Sequence, residues 1–316
     1  MYANPTQQED TSFVELRCPS CQHMLEPPEG IFDRQIVCPA CHRALKWRGT
    51  KQMADGTTRL DPRFTFAEFV VAPCNRFAFE MASLVVRNSG GEYNPLIIHG
   101  GEGNGRTHLM HAIGHHLLAM PSGMVRYVTS EALTNAYIEA LQSRGLVNFR
   151  NTYRRRTDVL LLDDLDFLYG KERMTEEVSY LVGSLVSDGR QVVVTCDRSS
   201  ASMVAVNHRL ASCLERGLAV GIGQPDAETC VRILEQKLKR MSVSLPSDIV
   251  QFIAEHAGAN VRRLEGALAR ILAYASVESR APDLPQVQYL LRDYVDLRAE
   301  EATHTEDRQR MATTAA

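Results

Sequence analysis

Residues 95–109 read PLIIHGGEGNGRTHL, and this stretch decides the fold class. Its apolar start predicts a buried strand, and the residues from Thr107 onwards predict a helix. Between them, the glycines match the phosphate-loop pattern G-x-x-x-x-G-K-[ST] at every fixed position except the lysine, where Arg106 stands. A loop in this context binds phosphate through backbone N–H groups and the helix N-terminus. We therefore predict a phosphate-binding loop at the end of a buried strand.

The loop supplies most of a nucleotide-phosphate site. Its glycines permit backbone angles that point successive N–H groups inward. The hydroxyl of Thr107 stands where it would ligate Mg2+. Arginine keeps the positive charge of lysine in a bulkier, planar group, so we expect nucleotide binding to survive the replacement better than hydrolysis. The predicted nucleotide contacts are Gly100, Gly101, Gly103, Gly105, Arg106, Thr107 and His108.

A second motif, VLLLDDLDF, spans residues 159–167. Its apolar start predicts a central strand that ends in Asp163 and Asp164. Ligands of parallel α/β sheets gather at the C-terminal ends of the strands, so both carboxylates would face the phosphate loop. We predict that Asp163 is a magnesium ligand and that Asp164 polarises water.

The pattern of apolar runs predicts an α/β domain followed by a helical domain. Short runs rich in Val, Ile and Leu alternate with helical patterns, which is typical of a doubly wound parallel sheet buried on both faces. The four predicted strands are PLIIHG, VRYVTS, DVLLLDDL and QVVVTCDR, and only a turn is predicted after the fourth. After Gln224-Pro225 the strand signals stop and helical periodicity continues. It predicts four helices, in the segments DAETCVRILEQKLKRM, PSDIVQFIAEHA, NVRRLEGALARILAYA and DLPQVQYLLRDYV. The predicted boundaries are 63–224 for the α/β nucleotide-binding domain, 225–295 for the helical lid and 296–316 for a disordered tail.

Four of the eight cysteines form two C-x2-C pairs separated by sixteen residues. Each pair places two thiolates on one tight turn, and two such turns complete the tetrahedral shell of a structural zinc site. The segment resembles a zinc ribbon, a module that binds nucleic acid or protein, so its partner stays open. We predict a ribbon at residues 15–48 with a linker at 49–62. Its Zn2+ ligands would be Cys18, Cys21, Cys38 and Cys41.

The composition of the chain limits the cell compartments and the kinds of partner to be expected. The chain has 316 residues, 44% of them hydrophobic, and a formal net charge of -3. It contains no apolar run near the ~20 residues of a membrane span, and its start lacks the features of a signal peptide. These observations predict a cytoplasmic protein without a membrane partner. The negative charge gives no general attraction to nucleic acid, so any such binding needs a local basic surface.

From about Leu60 to Tyr294 the chain resembles the AAA+ region of the bacterial replication initiator DnaA and of its shorter relative Hda. The resemblance is carried, in order, by RFTFAEFV, YNPLIIHGGEGNGRTHLMHAIG, DVLLLDDLDFLYGKERMTEE, VVVTCDR and NVRRLEGAL. It implies an AAA+ fold that binds ATP or ADP. It also implies that Asp197 is the polar sensor beside the γ-phosphate and that Arg262 is the lid arginine that closes over the nucleotide. The residues alone add that Asn260 is placed to cap the helix of Arg262.

Two departures from the initiator concern hydrolysis. Arginine in the phosphate loop is a feature of Hda-like proteins, so Arg106 favours that branch. The position of the family's arginine finger is Cys213 within HRLASCLERGL, flanked by Arg209 and Arg216. An offset of a few residues on a helix moves a side chain to a different place, so we expect weak or no hydrolysis.

The resemblance also bears on DNA. The family's single-stranded DNA contacts match Ile138, Lys171 and Arg173 here. RNTYRRR at residues 150–156 adds a basic cluster with an aromatic residue, which a solvated surface explains equally well. No segment matches the initiator's helix-turn-helix domain, so we expect no sequence-specific duplex binding.

Three functional hypotheses remain open. In the first, the protein binds ADP or ATP and regulates replication initiation through AAA+ partners such as a DnaA-type initiator. In the second, it is an initiator-like ATPase that assembles on single-stranded DNA. In the third, the AAA+ fold is a scaffold and the zinc ribbon performs recognition. Nucleotide content separates the third from the others, and stimulation of ATPase by single-stranded DNA separates the second from the first.

Overall fold

The computed structural model describes residues 60–119, 124–197, 208–278 and 280–292, together with four short strands and a two-residue turn nearer the N-terminus. The chain divides into two compact units, residues 1–53 and residues 54–316.

In the first unit, the described residues form two antiparallel strand pairs. They are β1 (Leu16–Arg17) with β2 (Met24–Leu25), and β3 (Arg34–Val37) with β4 (Ala44–Trp47). In the sequence, each pair is joined by a segment that contains one C-x2-C motif. The spacing of the cysteines therefore coincides with the spacing of two hairpins.

A five-stranded parallel sheet forms the centre of the second unit. Its strands are β5 (Leu96–Gly100), β6 (Val125–Thr129), β7 (Val159–Asp163), β8 (Gln191–Cys196) and β9 (Leu218–Ile222). The order across the sheet is β6-β7-β8-β5-β9. Every residue of β7 and β8 is buried, because both strands are covered on two faces. The loop after β5 therefore lies beside the C-terminal end of β8, where the strand order reverses.

Helices cover both faces of this sheet. One apolar core, which includes Leu60, lies under α1 (Arg76–Arg87) and α2 (Arg106–Leu118). The opposite core lies under α3 (Ser130–Gln142), α4 (Leu146–Arg150), α5 (Glu172–Ser187) and α6 (His208–Leu214).

The C-terminal helices build a separate apolar core around Leu234, Ile253 and Leu264. Asp226 caps the first of these helices by accepting from the backbone N–H of Thr229 at 2.8 Å. They are α7 (Ala227–Met241), α8 (Ser247–His256), α9 (Val261–Glu278) and α10 (Leu284–Leu290). We call them the lid.

The structure confirms four of the sheet strands and the four lid helices that the sequence predicts. Strand β9 is missed by the sequence, which predicts only a turn between β8 and the lid. Its residues LAVGI alternate between partly buried, buried and exposed positions and include a glycine, so they carry a weak strand signal. None of the described helices is both long and apolar enough to cross a membrane.

Candidate nucleotide-binding site

The phosphate loop joins β5 to α2 at the C-terminal edge of the sheet. Gly103 and Gly105 adopt left-handed backbone angles, with φ of 75° and 100°. A Cβ on Gly103 would lie 2.1 Å from Oδ1 of Asn260, so the loop has no room for a side chain there. Asn104 stabilises the base of the loop by donating from Nδ2 to the carbonyl of Ile222 at 3.0 Å. The loop is thus fixed on one side by β9 and on the other by the lid.

Arg106 is the first residue of α2, and its side chain is 9% exposed. One guanidinium nitrogen, Nη2, forms an ion pair with the carboxylate of Asp197, which follows β8 and is 54% exposed. The other terminal nitrogen, Nη1, is buried and has no hydrogen-bond partner among the described residues. A buried guanidinium N–H without an acceptor is costly. The loop therefore presents a free donor that an anionic ligand would satisfy.

Asp163 lies at the end of β7, is 2% exposed and is held by hydroxyl groups from three elements. Tyr127 donates from its hydroxyl to Oδ2 at 2.9 Å, and Thr195 donates to Oδ1. The hydroxyl of Thr107 lies 3.4 Å from Oδ1. Burial, then the charge of Asp163, raises the pKa of Tyr127, so this hydroxyl stays protonated and donates. Thr107 and Asp163 together offer the oxygen donors that Mg2+ prefers.

Asp164 follows in a left-handed conformation, with φ of 55°. Its backbone N–H donates to the hydroxyl of Thr195 at 2.9 Å, so the same threonine holds both acidic residues. Desolvation, and then the charge of Asp163, raises the pKa of Asp164, whereas Arg106 and Arg262 act against that shift.

Next to the loop, a cleft opens between α2, the lid and the residues that precede α1. We call residues 60–75 the lead-in segment. The cleft encloses about 660 Å³, a volume that includes the solvent space at its open side. Phe64 stacks on His108 with ring centroids 4.9 Å apart. Among the residues that line the cleft are Phe64, Phe69, Gly105, His108, Lys237 and Glu265.

Three histidines of α2 bind the lead-in segment to the phosphate loop's helix. His111 accepts from the backbone N–H of Asp61 at 2.9 Å, and His115 Nε2 lies 2.7 Å from the carbonyl oxygen of Asp61. His108 Nε2 lies 3.0 Å from the carbonyl oxygen of Thr65. Burial lowers the pKa of His111 to about 4 and also lowers the pKa of His108. Both rings are therefore neutral at physiological pH.

The lid meets the tip of the phosphate loop at the start of α9. Asn260 caps this helix, as the sequence predicts, by accepting from the N–H groups of Arg262 at 3.0 Å and Arg263 at 3.3 Å. The backbone N–H of Val261 donates to the carbonyl of Gly103 at 3.0 Å. Arg262 Nη1 lies 2.5 Å from a carboxylate oxygen of Glu102. Arg262, predicted as the lid arginine, is thus in contact with the loop itself.

The sequence around this site is shared with a known protein family. The model of the bacterial DnaA ATPase domain matches residues 60–221. The chain belongs to the bacterial DnaA ATPase-domain family. The DnaA of Thermomicrobium roseum is 42% identical over 235 residues, which are 74% of this chain and 50% of that protein. The chain spans about half the length of the curated relatives it matches.

Solved structures agree with the family. Domain III of DnaA from Thermotoga maritima superposes with a TM-score of 0.73 at 36% identity, over 75% of this chain and 99% of that one. A DnaA bound to AMPPCP and single-stranded DNA superposes with a TM-score of 0.62 at 33% identity, over 67% of this chain and 65% of that one. The AAA+ α/β fold that the resemblance implies is therefore confirmed.

Cys213, the residue predicted at the arginine-finger position, packs against its own domain. Cys213 is partly buried, and its Sγ lies 3.8 Å from the carbonyl of Ser179 on α5. Arg209 donates to the hydroxyl of Tyr180 at 2.7 Å, so its guanidinium is anchored on its own subunit. Arg216 is exposed in the turn between α6 and β9.

The residues predicted to contact single-stranded DNA lie on different elements and in different environments. Ile138 on α3 is 45% exposed, and Arg173 on α5 is exposed. Lys171 lies over the ring of Phe167, with Nζ 3.6 Å from the ring centroid, and donates to that residue's carbonyl.

The basic cluster at residues 150–156 is partly neutralised inside this domain. Arg150 pairs with Glu177 at 2.8 Å, and Arg154 lies 3.7 Å from the same carboxylate. Arg150 and Glu177 are 27 residues apart, so the pairing is not visible in the sequence. The number of basic residues in the cluster therefore overestimates the positive charge that is available to a ligand.

Of the four predicted zinc ligands, Cys18, Cys21 and Cys38 lie outside the described residues. Cys41 lies in a described turn and is exposed. Within the described part of the chain, the structure contains no group of three or more His, Cys, Asp or Glu side chains arranged to hold a metal.

Proposed function

We propose that this protein binds adenine nucleotide, ADP or ATP, and takes part in or regulates DNA replication initiation with weak or no hydrolysis. The observation that supports it best is the guanidinium of Arg106. It is buried at the phosphate loop, with one nitrogen paired to Asp197 and the other left for a ligand. The matched proteins are named as chromosomal replication initiators, and one related structure holds AMPPCP.

Different parts of the site suit different parts of a nucleotide. The N–H groups of residues 103–107 and the start of α2 suit the phosphates, and Nη1 of Arg106 completes that cradle. The cleft between Phe64 and the lid suits the base and sugar. Thr107 and Asp163 are the proposed magnesium ligands; when bound, Mg2+ would neutralise part of the phosphate charge.

Two features support weak turnover. Nη2 of Arg106, which replaces the loop lysine, already pairs with the carboxylate of Asp197, the proposed sensor. This nitrogen and this carboxylate are therefore engaged with each other rather than with charge that develops on the γ-phosphate. Cys213 supplies no charge at the finger position, and it faces α5. An arginine finger typically contributes about 10³ to 10⁵ in rate, so its absence leaves hydrolysis slow. Asp164 remains the proposed residue that polarises water.

Nucleotide binding and turnover are tested on the full chain. The nucleotide released on denaturing the purified protein is identified, and the affinities for ADP and AMPPCP are then measured by calorimetry. We expect tight binding of both and ATPase close to background. Brisk hydrolysis that disappears in Arg209→Ala or Arg216→Ala would contradict weak turnover and identify a displaced finger.

A second candidate, an ATPase that assembles on single-stranded DNA, is favoured by Ile138 on α3 and Arg173 on α5, which are both exposed. We expect weak, sequence-independent binding of a single-stranded oligonucleotide that falls with added salt. The measurement is fluorescence anisotropy with wild type, Ile138→Ala and Arg173→Ala, with ATPase followed in parallel. Stimulation of ATPase by the oligonucleotide supports this candidate over the first.

We also propose a zinc ribbon at residues 15–48, which recognises a partner. Its support is the cysteine spacing, together with the two hairpins β1–β2 and β3–β4, each joined by one C-x2-C segment. We expect one Zn2+ per chain by metal analysis of protein purified under reducing conditions. A pull-down with the full chain and with the ribbon deleted tests whether AAA+ partners, such as a DnaA-type initiator, require it.

A further inference from the structure

The tip of the phosphate loop carries an acidic residue that pairs with the lid arginine. Glu102 lies between Gly101 and Gly103, at a position where the loop pattern leaves the residue type free. A carboxylate oxygen of Glu102 lies 2.5 Å from Nη1 of Arg262. The loop thus places a negative charge next to a cation that is suited to a phosphate.

Three further contacts fix this pair in place. The carbonyl of Glu102 accepts from Nδ2 of Asn260 at 3.1 Å, and the carbonyl of Gly103 accepts from the N–H of Val261 at 3.0 Å. Asn260 also caps the helix of Arg262. Since the backbone of the loop tip is bound to the first turn of α9, the side chains of Glu102 and Arg262 start from adjoining, fixed positions.

Arg262 lies at the tip of the loop that would bind the phosphates, because its side chain pairs with Glu102 and the first turn of its helix is hydrogen-bonded to that tip. A third phosphate would extend from this loop into the space beside the same guanidinium. ATP brings one more negative charge than ADP into that space. The γ-phosphate of ATP would compete with Glu102 for the guanidinium of Arg262. ADP has no γ-phosphate, so most of this competition is absent when ADP binds.

We propose that Glu102 determines nucleotide selectivity by competing with the γ-phosphate for Arg262, which shifts the site towards ADP. This inference rests on the proposed nucleotide binding and adds its selectivity. Both side chains are largely exposed, at 70% for Glu102 and 63% for Arg262. Exposed ion pairs are weak, so Glu102 shifts the preference between ADP and ATP by about three- to fivefold rather than excluding ATP.

The test compares affinities for ADP and AMPPCP by calorimetry, at low salt, in the full chain. Glu102→Gln keeps the side chain's shape and removes its charge. We expect the ratio of AMPPCP affinity to ADP affinity to rise about three- to fivefold. The rise should shrink in about 0.5 M salt, because exposed charges are screened. Glu92→Gln, at the opposite end of β5 and also exposed, is the matched control and should leave the ratio unchanged.

A double-mutant cycle identifies the mechanism. In an Arg262→Ala background, Glu102→Gln should no longer change the ratio, since the group for which the two anions compete is absent. A rise of equal size without Arg262 overturns competition for that residue. An unchanged ratio in Glu102→Gln, with ADP still bound, overturns this inference alone. Failure of the wild type to bind ADP overturns the proposed function, and this inference with it.

Discussion

Two cation–carboxylate pairs border the phosphate loop, and their surroundings are opposite. Arg106 is 9% exposed and pairs with Asp197, whereas Arg262 and Glu102 pair in a position open to solvent. Burial makes the first pair expensive to disturb, because a desolvated charge needs its partner. Solvent makes the second pair weak and dependent on salt. We thus propose that the buried residues under the loop bind the nucleotide and that the exposed pair above it sets the selectivity. We call the buried residues Arg106, His111, Tyr127 and Asp163 the floor.

The largest effect expected from the buried floor is loss of stability in acid. The pKa of His111 is lowered by burial to about 4, while an unfolded histidine titrates near 6.5. The unfolded chain therefore takes up the proton first, so stability is intact above about pH 6.5 and falls as the pH approaches 4. The difference is worth about 3 kcal/mol. Urea unfolding between pH 7 and pH 4 measures it.

His111→Asn sharpens this test, because an amide oxygen can accept from Asp61 without titrating. We expect a flatter pH dependence in this variant. His116→Asn, an exposed site on the same helix, is the control and should keep the wild-type slope. An identical slope in His111→Asn would show that another group causes the loss.

The next effect concerns Arg106. Arg106→Ala removes the buried donor at the loop and leaves Asp197 unpaired, so ADP affinity should fall about 10- to 100-fold. Arg106→Lys keeps the charge and should bind far better than the alanine variant, with little change in ATPase. Arg76→Ala, on the exposed start of α1, is the surface control. If calorimetry finds that the ADP affinity of Arg106→Ala is within twofold of wild type, the loop arginine does not contribute to nucleotide binding.

Removing one hydroxyl from the floor should have a smaller effect. Tyr127→Phe takes a donor from Oδ2 of Asp163, so the carboxylate that borders Thr107 is held less firmly. We expect the Mg2+ concentration for half-maximal nucleotide binding to rise about three- to tenfold, with binding in the absence of Mg2+ unchanged. Tyr137→Phe on α3 is the matched control. Equal losses with and without Mg2+ would indicate a general packing defect instead.

The smallest effect is expected at the finger position. Cys213 faces Ser179, so an arginine at this position has no direct route to a neighbouring subunit's nucleotide. Cys213→Arg should change ATPase less than about twofold, against the ~10³ of an effective finger. A large gain in rate, measured at high protein concentration, would show that α6 turns outward on assembly.

The sequence predicts well where the signal is local. The loop at residues 100–107 and the strand that ends in Asp163 follow from a few adjacent residues, and the cap of α9 follows from Asn260 alone. Strand β9 is missed, since its short run of mixed burial resembles a turn.

Contacts between distant segments are invisible in the sequence. Nothing near Tyr127 indicates that its hydroxyl reaches Asp163, 36 residues away. Side chains alternate along a strand, so Tyr127 and Thr129 lie on the same face of β6. That alternation is the local signal in the sequence from which the direction of the Tyr127 side chain could have been predicted. Glu102 stands at a position that the loop pattern leaves unspecified, and its partner Arg262 is 160 residues away. Such pairings depend on strand order and lid position, which only the folded chain defines.

The backbone hydrogen bond between Val261 and Gly103 has a consequence for how α9 would move. It attaches one end of α9 to the loop tip, and the helix continues for 18 residues. A helix of that length extends about 27 Å, so a tilt of about 5° at the loop displaces its far end by about 2 Å. Near that end, Val277 is 81% exposed. A tilt of α9 at the loop tip would therefore move the exposed end of the helix much further than it moves the end beside the phosphate loop.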